Sequence, residues 1–186
     1  MEEIELYIED ASEHMEKTLK HLGQELTKIR AGRAMPTMVD GIMVDYYGNP
    51  TPLNQVASIN TPDARTLMIK PWEKTLVGEI EKAIINSDLG LNPQNDGEVV
   101  RLNIPPLTEE RRVSLVKQVK NEGEQGKISI RNIRKDANEN LKKLLKEHVS
   151  EDEVKKAEQR IQALTDEYVK KIDALLTKKE EEIMHV

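Results

Sequence analysis

All eight prolines of this chain fall at positions 36, 50, 52, 62, 71, 93, 105 and 106, and none lies outside that window. Proline lacks a backbone donor and its ring clashes with the preceding helical turn, so a long helix is excluded inside the window and permitted on either side. Two arms able to form long helices therefore flank a middle segment that must be built from strands, turns and short helices. Composition agrees with long, thin elements: 37% of residues are hydrophobic, 33% are charged and phenylalanine is absent, which is lean for a globule with a thick core.

The first arm carries Ile4, Ile8, Ala11, Met15, Leu19/Leu22, Leu26 and Ile29 at spacings of three and four, which predicts one amphipathic helix from residue 2 to about 30. Gly32 and Pro36 supply its stop. In the window, the alternation of Ile42–Tyr47 predicts a strand, with Gly48-Asn49-Pro50 as a turn after it. Leu53–Ile59, Thr66–Lys70 and Val99–Ile104 read as further strands. A helix is expected from Trp72/Glu73 to Asp88, with Leu76, Ile80, Ala83 and Ile84 on one face, and Asn95-Asp96-Gly97 reads as a turn.

After Pro105-Pro106 the helical period resumes at Thr108. Its seam is expected at Val116, Val119, Gly123, Gly126, Ile130, Ile133, Ala137, Leu141 and Leu144. Ser150-Glu151-Asp152-Glu153 is a capping box that opens a third helix, with Val154, Ala157, Ile161, Leu164, Tyr168, Ile172, Leu175 and Ile183 on one stripe. Each stripe is narrow, so none of these helices is stable alone and the three must bury one another. The short link at 147–150 makes the last two antiparallel. The expected fold is α+β: an elongated three-helix bundle, residues 1–33 and 106–186, with a small β/α/β domain inserted at 34–105. Hinges are expected at 33–37 and 104–107, where Gly32, Pro36, Pro105 and Pro106 stand.

Charge is as unevenly distributed as proline. The whole chain nets −6, yet residues 111–146 hold eleven bases against four acids, a net of +7. At 100° per residue Lys117, Lys120, Lys127, Arg131, Arg134, Lys135, Lys142 and Lys146 share an arc of roughly 120°, interrupted only by Glu124. Solvated helix faces usually alternate sign, because opposite charges four apart stabilise and like charges repel. A single-sign stripe on an acidic protein instead points to a polyanion met along one face. Arg131 and Arg134 are the leading candidates, since guanidinium can grip phosphate with two parallel bonds or stack on a base. Arg30 and Arg33 either complement the end of the first helix or extend the same surface.

Several function classes find no support. There is no cysteine, hence no disulfide, thiolate metal site or thiol catalysis, which suits a reducing cytoplasm. The acidic start MEEIELYIED has no apolar run of signal-peptide length, and no segment reaches the roughly 20 apolar residues of a membrane span. His14 and His21 stand too far apart on one helix to share a metal unaided. No nucleophile–base pair, GxGxxG or P-loop string occurs, so neither an enzyme nor a cofactor is expected. The competing reading is a helical adaptor or holdase-like module that binds proteins through its seams.

Longer strings carry a specific likeness. LTKIRAGRAMPTMVDGIMVDYYGNPTPLNQVASI (26–59), EKAIINSDLGLNP (81–93), PPLTEERR (105–112) and KISIRNIRKDAN (127–138) resemble bacterial ribosome recycling factors, and the likeness runs over essentially the whole chain. The resemblance implies an L-shaped molecule. It also implies a non-enzymatic translation factor that binds the post-termination ribosome along large-subunit rRNA. With elongation factor G and GTP, such a factor splits the ribosome so that mRNA is released for a new round of translation. It further implies a cytoplasmic monomer without DNA or membrane partners. By the RNIR string the rRNA contacts fall on Arg131 and Arg134, flanked by Lys120, Lys127 and Lys135, and by KIRAGR on Arg30 and Arg33. Lys135 stands where the family often has arginine, and Gly123 and Gly126 where it usually has alanine.

Overall fold

The first apolar stripe folds as α1, Glu2–Thr27, burying Ile4, Ile8, Ala11, Met15, Leu22 and Leu26, with Leu19 half-buried. The helix stops before residue 30 because its last turn tightens: Lys28 N–H donates to the Glu25 carbonyl and Ile29 N–H to that of Leu26, both at 3.2 Å. The computed structural model describes residues 2–29 and 32–185. The chain divides into two compact units, one of α1 with Glu109–His185 and the other of the segment between them, up to Thr108.

The helical unit adds α3, Glu109–Lys143, and α4, Glu151–Met184, and each of its three helices packs against the other two. Helix α4 starts where expected: Ser150 Oγ accepts from Glu153 N–H at 3.2 Å, while the Glu153 carboxylate accepts from Ser150 N–H at 3.1 Å. Cross-links show that α3 and α4 run antiparallel. Arg112 donates to the Met184 carbonyl at 3.1 Å, Lys127 meets Asp173 at 2.7 Å, and Arg134 meets Gln162 at 3.2 Å. Glu5–Arg160 and Glu16–Tyr168 set α1 parallel to α4, and the Arg160 guanidinium holds the Glu5 carboxyl below its usual range.

Two seam assignments need correction. On α3 the buried residue near the start is Leu115, while Val116 and Ile133 are only half-buried. On α4 Thr165 is 2% exposed while Leu164 and Leu175 are half-buried. Thr165 tolerates burial because its hydroxyl donates to the Ile161 carbonyl at 2.8 Å, which leaves only a methyl facing the core.

The two seam glycines of α3 differ in what they permit. A Cβ at Gly123 would lie 2.3 Å from Leu176 Cδ1, whereas at Gly126 the nearest atom, Leu22 Cδ2, is 3.3 Å away. Gly123→Ala should therefore destabilise the bundle by about 1 kcal/mol, overpacking of roughly 1–3 kcal/mol outweighing the helix-propensity gain of about 1. Gly126→Ala should leave stability unchanged or slightly higher. Urea unfolding of the two variants checks this contrast, and equal shifts would refute it.

The other unit places half of its prolines in edge strands. Strand β1, Met43–Tyr46, pairs antiparallel with β2, Asn49–Pro52. Asn49-Pro50 thus belongs to a strand rather than to the expected turn. The turn is Tyr47-Gly48, with φ of 50° and 87°, the geometry a two-residue hairpin requires. A second, antiparallel sheet has the order β3-β4-β6-β5, from β3 (Ala57–Asp63), β4 (Thr66–Pro71), β5 (Pro93–Asn95) and β6 (Val100–Asn103). Pro62 and Pro93 lie in its two edge strands, where a missing N–H leaves no ladder bond unmade. Leu53–Gln55, expected as strand, forms a 3₁₀ turn, and the expected long helix shrinks to a 3₁₀ turn plus α2, Val77–Ile85. The core of this unit centres on Val44, Leu53, Leu67, Ile69, Ile80, Ile84, Val100 and Leu102. Glu73 accepts from both phenols of Tyr46 and Tyr47, at 3.0 and 2.9 Å, and pushes both hydroxyl pKa values up.

Both ends of this unit fasten to one turn. Ala34 N–H donates to the Ala64 carbonyl at 2.8 Å and Ile104 N–H to that of Arg65 at 2.7 Å. Gly32 adopts φ +74°, and a Cβ there would come within 2.7 Å of Leu107. Only glycine fits this position without strain.

Candidate nucleic-acid interface

Helix α3 turns its seam inward, with Val119, Ile130 and Leu141 fully buried, which aims the opposite face at solvent. Lys120, Arg131 and Lys135 are exposed on that face, and none has an ion-pair partner among the described residues.

The margin of the arc toward α4 is different. Arg134 is half-buried and donates from one terminal nitrogen to Gln162 Oε1. Gln162 in turn donates from Nε2 to Asp166 Oδ1 at 2.9 Å, which fixes which way its amide points. Arg134 is thus oriented by a neutral partner and keeps its net charge. Lys127 is oriented by a charged one: its side chain is 18% exposed and its ammonium lies 2.7 Å from Asp173 Oδ1. Sequence periodicity grouped Lys127 with the other bases, but packing places it against a carboxylate.

Arg33 is exposed and belongs to the small unit, while Arg30 lies outside the described residues. Of the hinge candidates, Gly32 has the left-handed conformation noted above, Pro36 opens a 3₁₀ turn, and Pro105 and Pro106 lie in irregular chain between β6 and α3. His14 and His21 line recesses between α1 and α3, and the His14 ring nitrogen Nδ1 lies 2.7 Å from the Asp10 carbonyl oxygen. Among the described residues no group of three or more histidines and carboxylates could hold a metal. No described helix is long and apolar enough to cross a membrane.

One feature of the face was missed from sequence. Ile128 is 51% exposed, diametrically opposite the seam and beside Arg131. Its signal was available: an isoleucine about 180° out of phase with the apolar seam of the central helix.

The statistical model of the family described as "Ribosome recycling factor" matches residues 22–184 of the chain. The chain belongs to the ribosome recycling factor family. It is 61% identical to the ribosome-recycling factor of Amoebophilus asiaticus (strain 5a2) and 58% identical to that of Cytophaga hutchinsonii, in both cases over the full length of both chains. The solution structure of a ribosome recycling factor superposes with a TM-score of 0.75 at 39% identity, covering all of both chains. A second solved structure, at 49% identity and a TM-score of 0.61, covers 97% of this chain and 98% of its own. It is a model of the T. thermophilus ribosome recycling factor, presented with E. coli elongation factor G bound to the E. coli post-termination complex. The mixed architecture of helical bundle and small sheet unit is that of the family.

Proposed function

We propose that this chain recycles ribosomes by laying the cationic face of α3 along rRNA of the large subunit. Recycling follows from family membership. The choice of face is carried by one observation, the run of exposed bases Lys120, Arg131 and Lys135 without ion-pair partners among the described residues, extended by Arg134. Phosphates are the natural complement of such a face, and release of their counterions makes the affinity salt-dependent. Ile128 supplies an aliphatic surface for a ribose or base edge between the charged contacts. By their place in the KIRAGR string, Arg30 and Arg33 are further candidates for rRNA contact.

The chain does no chemistry in this reading. Elongation factor G hydrolyses GTP and drives the step, and the protein acts in the cytoplasm as a monomer. The bundle grips RNA, and the connections at Gly32, Pro36, Pro105 and Pro106 form a hinge through which the small unit is driven. Their left-handed glycine and paired prolines support that assignment, as does the absence of regular structure at 104–108.

A ribosome-splitting assay with elongation factor G and GTP tests the reading. Adding the protein should convert post-termination ribosomes to subunits. A variant with Pro105 and Pro106 replaced by glycine should bind large subunits normally but split them slowly, since a loosened joint transmits force poorly. No splitting by the parent protein would overturn the function, and normal splitting by the glycine variant would remove the hinge. The adaptor alternative has weaker footing, because the largest side chains of the seams are buried within the bundle rather than offered to a client.

A further inference from the structure

Helix α4 carries the carboxylate that meets a largely buried cation of the arc. Lys127 retains only 18% of its side-chain exposure, while Asp173, 2.7 Å away, retains 55%. An ion pair this close to solvent contributes little to stability, so holding the bundle together is a poor reason for it. Its electrostatic consequence is larger. A phosphate approaching Lys127 meets an ammonium already neutralised and, beside it, an exposed negative charge. The neighbouring arrangement at Arg134 has the same geometry without that penalty, because Gln162 orients the guanidinium and leaves its charge uncancelled.

We propose that Asp173 is a built-in competitor for RNA, holding Lys127 back from phosphate so that α4 sets the strength of binding on the face that α3 provides. This rests on the reading of α3 as the rRNA-binding face. The functional consequence is a restrained affinity. RNA meets Lys120, Arg131, Arg134 and Lys135, while Lys127 stays paired with the carboxylate. A protein that must leave the ribosome after each cycle gains from not engaging every cation at once.

The test compares the parent protein with Lys127→Ala, Asp173→Asn and the double variant. Binding to purified large subunits is measured by pelleting between about 50 and about 200 mM salt, a range over which phosphate-driven binding changes strongly. Asp173→Asn should bind severalfold more tightly at the low-salt end. Its log–log salt slope should steepen by roughly 0.7 to 0.9, the increment for one additional phosphate contact. Lys127→Ala alone should scarcely change affinity, and in its background Asp173→Asn should lose most of its gain.

An equal gain with and without Lys127 would mean that Asp173 acts only as a distant repulsive charge, which overturns the proposal. So would an unchanged slope, or a loss in Lys127→Ala as large as that in Arg131→Ala. A flat slope for the parent protein would overturn the rRNA-binding reading as well, so the two failures are distinct. Unfolding midpoints establish that all variants are folded, and Asp173→Ser is the second removal should the asparagine variant prove unstable.

Discussion

The double variant Arg131→Ala/Arg134→Ala should bind large ribosomal subunits on the order of 100-fold more weakly than the parent, at roughly 1–3 kcal/mol for each arginine lost. The two side chains lie about one helical turn apart, Arg131 on the outward face of α3 and Arg134 at its margin toward α4, so one stretch of RNA backbone can meet both. Neither anchors the fold. Arg131 is exposed, and Arg134 makes one hydrogen bond to the exposed Gln162, so the helical circular dichroism signal and the unfolding midpoint should hardly move. Arg134→Lys should recover only part of the loss, because an ammonium lacks the planar fork that grips phosphate with two bonds. Subunit pelleting together with a melting curve decides the matter. Unchanged affinity in a folded double variant would transfer the RNA-binding role to another face.

Ile161→Ala should unfold the helical unit at markedly lower denaturant, losing about 2–5 kcal/mol. Ile161 is fully buried where all three long helices converge, among Ile4 and Ile8 of α1, Leu141 of α3 and Val154 and Ala157 of α4. Collapse around the missing methyl groups is hindered because each neighbour belongs to a helix tied elsewhere. Glu5–Arg160 holds α1 to α4 one residue away, and Thr165 bonds back to the Ile161 carbonyl. The helical dichroism transition reports this loss. A shift of under about 1 kcal/mol would mean that the cluster repacks and that the bundle is softer than its close contacts imply. Ribosome binding at low temperature should survive, since Ile161 contributes nothing to the charged face, and that separates this variant from the arginine pair.

How much of this was readable in the residues depends on whether the deciding interaction is local. Long helices were readable because their period repeats many times and because proline is absent from both arms. Their caps were readable where side chain and backbone lie within one turn, as at Ser150 and Glu153. Within the proline window the same reasoning lost precision. Asn49–Pro52 and Pro93–Asn95 look like turns by composition, yet each is a strand, because β1 and β6 offer open edges on which a proline's missing donor has no consequence. Thr165 replaced Leu164 in the α4 core because a hydroxyl can be satisfied within its own helix, an option that hydrophobic patterning does not count. The family strings RNIR and KIRAGR named candidate residues, and no local signal separated those residues from one another.

Amino-acid order alone determined that this chain would form three long helices around a proline-rich insert, with positive charge gathered on one arc of the middle helix. Those properties follow from backbone sterics, hydrophobic period and the fixed 100° step, which act between residues close in sequence. Only the tertiary structure decided what each cation in the arc meets. Asp173 and Gln162 lie 46 and 28 residues from Lys127 and Arg134, and only the antiparallel packing of α3 on α4 brings them within bonding distance. Charge on a helix is a property of sequence, but its compensation depends on the neighbouring helix and therefore on the fold.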